Sequence, residues 1–146
     1  MGSYADDALF MSRNNIEYVE LISDDGKSKV MVIPAWQGRV MTTSAAGDEG
    51  DSYGWINYSF IKKRQIDLQF NPVGGEERFW LGPEGGVFSL YFRQGEKQIY
   101  KNWKVPPVLD IEAFKIQSQS KNCICLTKEA VSYTHLRAHE TRSNLV

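Results

Sequence analysis

Cysteine and histidine are scarce in this chain: its 146 residues contain two of each. Two cysteines are too few for the disulfide frameworks that staple small extracellular domains, and one Cys pair supplies too few ligands for a structural zinc site. An excess of charge of one sign is also missing. Lys and Arg number 17 against 18 Asp and Glu, a net charge of −1, so there is no electrostatic reason to expect nucleic acid or an anionic membrane as partner. No apolar run approaches the roughly 20 residues that cross a bilayer, and no charged-then-apolar leader is read at the start. Localisation and redox compartment are left open. No internal repeat or low-complexity segment is visible. What is present is 42% hydrophobic and 12% aromatic residues, enough for the core of the one domain that this length suggests.

Both histidines lie in the last sixteen residues. Val131 to Thr141 (VSYTHLRAHET) reads as the translation of a transposase adapter used to build sequencing libraries, and Asn144 to Val146 fit the next constant adapter segment. Residues 131–146 are therefore expected to be a non-native tail, and residues 1–130 the N-terminal part of a single domain. His135 and His139, at i and i+4 with Glu140 beside them, mimic a helical zinc pair. The adapter accounts for all three without selection, so no metal site is expected. Without that segment no histidine remains.

Short extended runs dominate the rest. Tyr18 to Ile22 and Ser28 to Ile33 flank Asp24, Asp25 and Gly26, the pattern of a β-hairpin. All four of Val30, Met31, Val32 and Ile33 are apolar, which fits a strand buried on both faces. Gly38 to Ser44 supplies a third run, and Ala45 to Tyr58 is loop chemistry. Ser59 to Gln65 is long enough for one helical turn. Alternation predicts further strands at Ile66 to Phe70 and Val87 to Phe92, and a hairpin joins Asp110–Ser118 to Cys123–Thr127 around Ser120 to Asn122. No convincing amphipathic helix appears. The expected fold class is all-β, a partial antiparallel β-sandwich or barrel. Cys123 and Cys125 flank Ile124 on one strand and read as two small buried or half-buried thiols, since a bridge between them would be strained.

Two blocks, Gln37 to Asn57 (QGRVMTTSAAGDEGDSYGWIN) and Gly74 to Gly86 (GGEERFWLGPEGG), resemble an uncharacterised bacterial family related to the galactose mutarotase-like superfamily. The resemblance covers most of residues 15 to 130. It implies a fragment of a β-supersandwich that offers a concave face to a sugar, in a parent longer than this chain. Epimerases of that superfamily pair an imidazole acid with a carboxylate base on either side of one carbon. With no histidine in residues 1–130, the resemblance implies no catalytic residue and no mutarotase activity here, although the parent would be an aldose-epimerase-like isomerase.

The second block is also readable on its own chemistry. Sugars have apolar C–H faces and hydroxyl edges, so their sites combine an aromatic platform with carboxylate and guanidinium partners. Trp80 is the candidate platform, and Glu76, Glu77, Arg78 and Glu84 are the candidate edge contacts. The opposing account has Arg78 paired internally with a glutamate and Phe79 and Trp80 in the core. Asp48, Glu49, Trp55 and Asn57 form a second, weaker constellation. A carbohydrate ligand is thus the expected partner, with no cofactor. The alternative is a non-catalytic structural or interaction module.

Overall fold

The computed structural model describes residues 2–131 and 142–145. The chain begins with a helix, α1 (Tyr4–Arg13), which the sequence pattern did not suggest. Its start is fixed by a reciprocal capping box: Asp6 N donates to Ser3 Oγ at 3.2 Å, and Ser3 N donates to Asp6 Oδ2 at 3.0 Å. Asp6 and Asp7 sit in the first turn and Arg13 in the last, which suits the helix dipole. The buried positions are Tyr4, Asp7 and Met11. Because one of those three is a carboxylate, the apolar stripe that normally announces a helix is interrupted.

The hairpin follows as expected. Strand β1 (Val19–Ile22) pairs antiparallel with β2 (Lys29–Ile33), and β3 (Arg39–Ser44) pairs on the other side of β2. Ser23 Oγ and Lys27 N both donate to Asp25 Oδ1, holding the turn closed. As the central strand, β2 buries Met31, Val32 and Ile33 in succession. A bulge between Met31 and Val32 moves the partner from Thr42 to Val40. A core of Tyr4, Met11, Met31, Ile33, Met41, Ile56, Ile61 and Val73 lies against this sheet.

Beyond β3 a loop leads to the short helix α2 (Tyr58–Lys63), whose first turn is capped by Asn57 Oδ1. The chain then returns to close the outer edge of β3. Val40 N donates to Glu77 O at 3.0 Å and Glu76 N to Val40 O at 2.9 Å, while Asn57 N reaches Val73 O and Gly75 N reaches Trp55 O. Gly74 makes this approach possible: its φ is +95°, and a Cβ there would lie 2.2 Å from the Trp55 carbonyl oxygen. The covered edge is no longer open to pairing with another chain.

After helix α3 (Pro107–Asp110), a second antiparallel sheet is built in the order β4 (Lys115–Gln119), β5 (Ile124–Val131), β6 (Arg142–Leu145). β6 lies within the segment read as a tail. Phe114 N donates to Pro34 O, Ile22 N to Lys121 O and Gln37 Nε2 to Glu112 O, tying this sheet to the first. Strands and coil with small helical content, arranged as two antiparallel sheets, make up the described residues.

Two predicted strands are absent. At Ile66 to Phe70, Asp67 and Asn71 exchange side-chain and backbone hydrogen bonds, and Gln69 N donates to Asp67 Oδ1. These local bonds take the place of a ladder, leaving Ile66 and Leu68 68% and 79% exposed. At Val87 to Phe92, the Ser89 hydroxyl donates to Glu84 O and accepts from Tyr91 N, curling the chain into turns. The thiol reading is corrected as well. Cys123 precedes β5 in the turn and is exposed, whereas Cys125 is half-buried with its thiol donating to Gln117 Oε1; both are free.

Candidate functional site

A second apolar cluster is assembled almost wholly from loops. Tyr91, Val105 and Leu109 are buried, and Phe70, Phe79, Trp80, Leu81, Leu90, Phe92, Trp103 and Val108 pack on them. Backbone bonds from Lys104 N to Tyr91 O and from Val105 N to Gln69 O fasten three distant segments together. The Tyr91 hydroxyl donates to Leu81 O at 2.6 Å. Inside this frame the aromatic rings form a ladder. Trp80 stacks on Tyr91 with centroids 5.1 Å apart, Tyr91 on Trp103 at 5.9 Å, and Trp103 on Tyr100 at 6.1 Å, while Phe70 meets Trp80 and Trp103 edge-on.

The ladder walls an open cleft of ≈ 390 Å³ lined by Phe70, Arg78, Trp80, Glu84 and Trp103. The Trp80 indole N–H donates to Glu84 Oε1 at 2.6 Å. The Arg78 guanidinium lies 4.1 Å from the Trp80 ring centroid and 5.5 Å from that of Phe70, a cation–π arrangement. Arg78 Nη2 also donates to Leu109 O at 2.7 Å and reaches Asp110 Oδ1 at 3.5 Å. Burial pushes the Arg78 pKa below the usual arginine range, and Asp110 opposes that shift. Tyr91 is pushed up to about 12, first by burial and then by the charge of Glu84.

Beneath Arg78 lies a buried polar knot. Asp110 Oδ2 accepts from Asn71 N at 2.8 Å and from Asn71 Nδ2 at 2.7 Å. Arg39, 3% exposed, donates through Nη1 to Gly74 O at 2.7 Å. Burial and the neighbouring Arg78 charge lower the Arg39 pKa to about 10. The Nε atoms of Arg39 and Arg78 are buried without a hydrogen-bond partner.

The five candidate residues therefore divide. Arg78, Trp80 and Glu84 converge on the cleft, but Glu76 and Glu77 do not line it. Glu76 instead accepts from Thr43 N at 2.8 Å and from the Thr43 hydroxyl, anchoring the covered edge of β3, and Glu77 pairs its backbone with Val40. Arg78 does pair internally, with Asp110 rather than with a glutamate. In the weaker constellation, Asp48 binds Lys29 at 2.7 Å and Asn57 caps α2, both supporting the fold. Trp55 is 65% exposed. His135, His139 and Glu140 lie outside the described residues.

Phe70, Trp103, Asp110 and Arg39 were not foreseen as parts of the site. The one signal for Arg39 was its place in the first resembling block; for the others, nothing local marks the long-range packing. A larger hollow of ≈ 610 Å³ next to Tyr91 contains none of the five candidates. Its rim mixes Asp67 and Glu96 with Arg93, Lys101 and Lys104, and that mixture of signs singles out no ligand. Among the described residues, no group of three or more His, Cys, Asp or Glu is placed to hold a metal, and no helix is long and apolar enough to cross a membrane.

Residues 2–140 match the model of a family described as a family of unknown function (DUF6786), a match that runs ten residues past the expected boundary at 130. No curated protein and no solved structure matches.

Proposed function

The chain belongs to this family of unknown function, and from that premise we propose that it is a β-rich carbohydrate-binding domain whose ligand lies in the cleft of Phe70, Arg78, Trp80, Glu84 and Trp103. The observation that carries the reading is the Trp80 ring, held by Glu84 and stacked on Tyr91 at the wall of an open cleft. With Tyr91 stacked on the indole and the Arg78 guanidinium over it, the ring offers the cleft its remaining apolar edge, and the adjacent guanidinium and carboxylate groups suit hydroxyl edges. The proposal is binding rather than catalysis. Acid–base chemistry at an anomeric carbon needs two positioned titratable groups, and the one carboxylate lining this cleft already accepts from the indole. At the level of fold, the two antiparallel sheets are consistent with part of a mutarotase-like sandwich, the finer architecture that we propose.

The test is a titration of the chain with a panel of neutral and acidic sugars, read by intrinsic tryptophan fluorescence and calorimetry. Saturable binding that is lost in Trp80→Ala, with a cooperative melt retained, supports the reading. If Trp80→Ala unfolds, Trp80→Phe, which keeps the packing but loses the bond to Glu84, is expected to weaken binding in a folded chain. Binding of no sugar, or unchanged binding in Trp80→Phe, would overturn it.

A second reading, a protein-docking module, is favoured by the exposure of Tyr53 and Trp55 at 56% and 65%. Replacing both with Ser should leave sugar binding intact and abolish only a protein contact.

A further inference from the structure

Resting on the sugar-binding reading, we infer that the cleft takes an acidic sugar, one bearing a carboxylate as in a uronic acid, in preference to a neutral one. The inference comes from charge that the fold leaves unbalanced. Two guanidinium groups, Arg39 and Arg78, share the buried knot with one carboxylate, Asp110. Asp110 is engaged mainly by Asn71, at 2.7 and 2.8 Å, and its contact with Arg78 is the long one at 3.5 Å. Among the described residues, Arg39 has no carboxylate within ion-pair distance, and its polar contact is the neutral Gly74 carbonyl. Both Nε donors are buried and unused. An uncompensated buried charge is costly, and it is offset when an anion arrives.

Arg78 is where an anion would meet this surplus. Its side chain is 22% exposed and lines the cleft, whereas Arg39 lies deeper and acts through its field. The Trp80 ring lies 4.1 Å from the guanidinium and Leu109 O holds Nη2, so the exposed part of the group is pre-set for an acceptor in the cleft. A carboxylate matches that edge. Glu84 already lines the cleft, so a ligand that brings a second negative charge, as a dianionic phosphate does, is disfavoured. The rest of a pyranose would meet Phe70, Trp80 and Trp103, and Glu84 remains with the indole at the exposed rim.

The experiment compares galacturonate oligomers, their methyl esters and galactose oligomers of equal length, titrated into the full chain by calorimetry at low and raised salt. The acid is expected to bind about tenfold more tightly than ester or neutral sugar, a difference typical of one charge-assisted hydrogen bond. That advantage should shrink with salt and disappear in Arg78→Gln, in which acid and ester should bind with the same affinity. Esterification removes the charge without touching the protein, so the comparison stands even if Arg78→Gln fails to fold. Equal affinity for acid, ester and neutral sugar would overturn the inference and leave the sugar-binding reading in place. A phosphorylated sugar that outcompetes the uronate would overturn the carboxylate assignment. Binding of none of them would overturn both.

Discussion

The Trp80 indole N–H and the Glu84 carboxylate, four residues apart, meet at 2.6 Å and fix the tilt of a ring that stacks on Tyr91. The same carboxylate contributes to the raised pKa of Tyr91, after burial. Glu84→Ala should therefore leave the fold intact, with a loss below about 1 kcal/mol because the bond is solvent-exposed. Tyr91 should titrate lower than in the unmodified chain but still above an ordinary tyrosine, since burial remains. Tyrosinate absorbance against pH checks this, and an unchanged Tyr91 titration would show that the two do not communicate.

Asp110 is the one carboxylate that links Arg78 to the Asn71 turn, and it is 6% exposed. Asp110→Asn keeps the shape but strips the negative charge from beside two guanidinium groups and turns one amide against another. Breaking a buried ion pair from one side costs on the order of 3 kcal/mol or more. Denaturant melts should show that loss, with both Trp80 and Trp103 fluorescence changing as the loop cluster loosens. A change within about 0.5 kcal/mol would mean that the knot contributes little to stability.

Helix α1 is docked through Asp7, which is 2% exposed and accepts from the hydroxyls of Ser52 and Tyr58. Ser52 Oγ in turn lies 2.5 Å from Thr42 Oγ1 on β3, so a chain of hydroxyls joins the helix to the sheet. Asp7→Ala leaves two donors without their acceptor and should destabilise the chain by about 2–3 kcal/mol, whereas Asp7→Asn should cost less. Hydrogen exchange should quicken first along α1. Uniform exchange across the chain would argue against this docking role.

The legible parts of the fold are those whose determinants are local. The turn at Asp24, Asp25 and Gly26 and the one at Ser120 to Asn122 are chemical signals confined to a few residues, and both hairpins formed there. Helix α1 escaped because its buried face uses Asp7, whose partners are 45 and 51 residues away. The apparent strands at Ile66 to Phe70 and Val87 to Phe92 failed for the opposite reason. Side chains of Asp67, Asn71 and Ser89 capture nearby backbone groups, and a hydrophobicity pattern does not register that competition. At the site, Arg78, Trp80 and Glu84 were readable because one loop carries all three. Trp103 and Asp110 arrive from farther along the chain through packing of the loop cluster, which no spacing in the sequence announces.

Stability should fall in alkali, between about pH 10 and pH 12. Burial pushes Tyr58 and Tyr91 up to about 12 and raises Tyr4 further, with Asp7 adding to the shift at Tyr58 and Glu20 to that at Tyr4. A tyrosine in the unfolded chain ionises near pH 10. Between those values the folded chain holds more protons than the unfolded one, so the contribution of these groups is complete below pH 10 and is lost as pH rises through 12. Arg39 works the other way. Its pKa is lowered to about 10, so the folded chain releases that proton first, and its contribution grows over the same window. The two buried tyrosines, Tyr4 and Tyr91, outweigh the one arginine, and Tyr58, which is 41% exposed and screened by solvent, adds less, so a net loss is left. Circular dichroism and tyrosinate absorbance should change together in one cooperative step. If Tyr4 and Tyr91 ionise near pH 10 with the dichroism unchanged, their burial does not control alkaline stability.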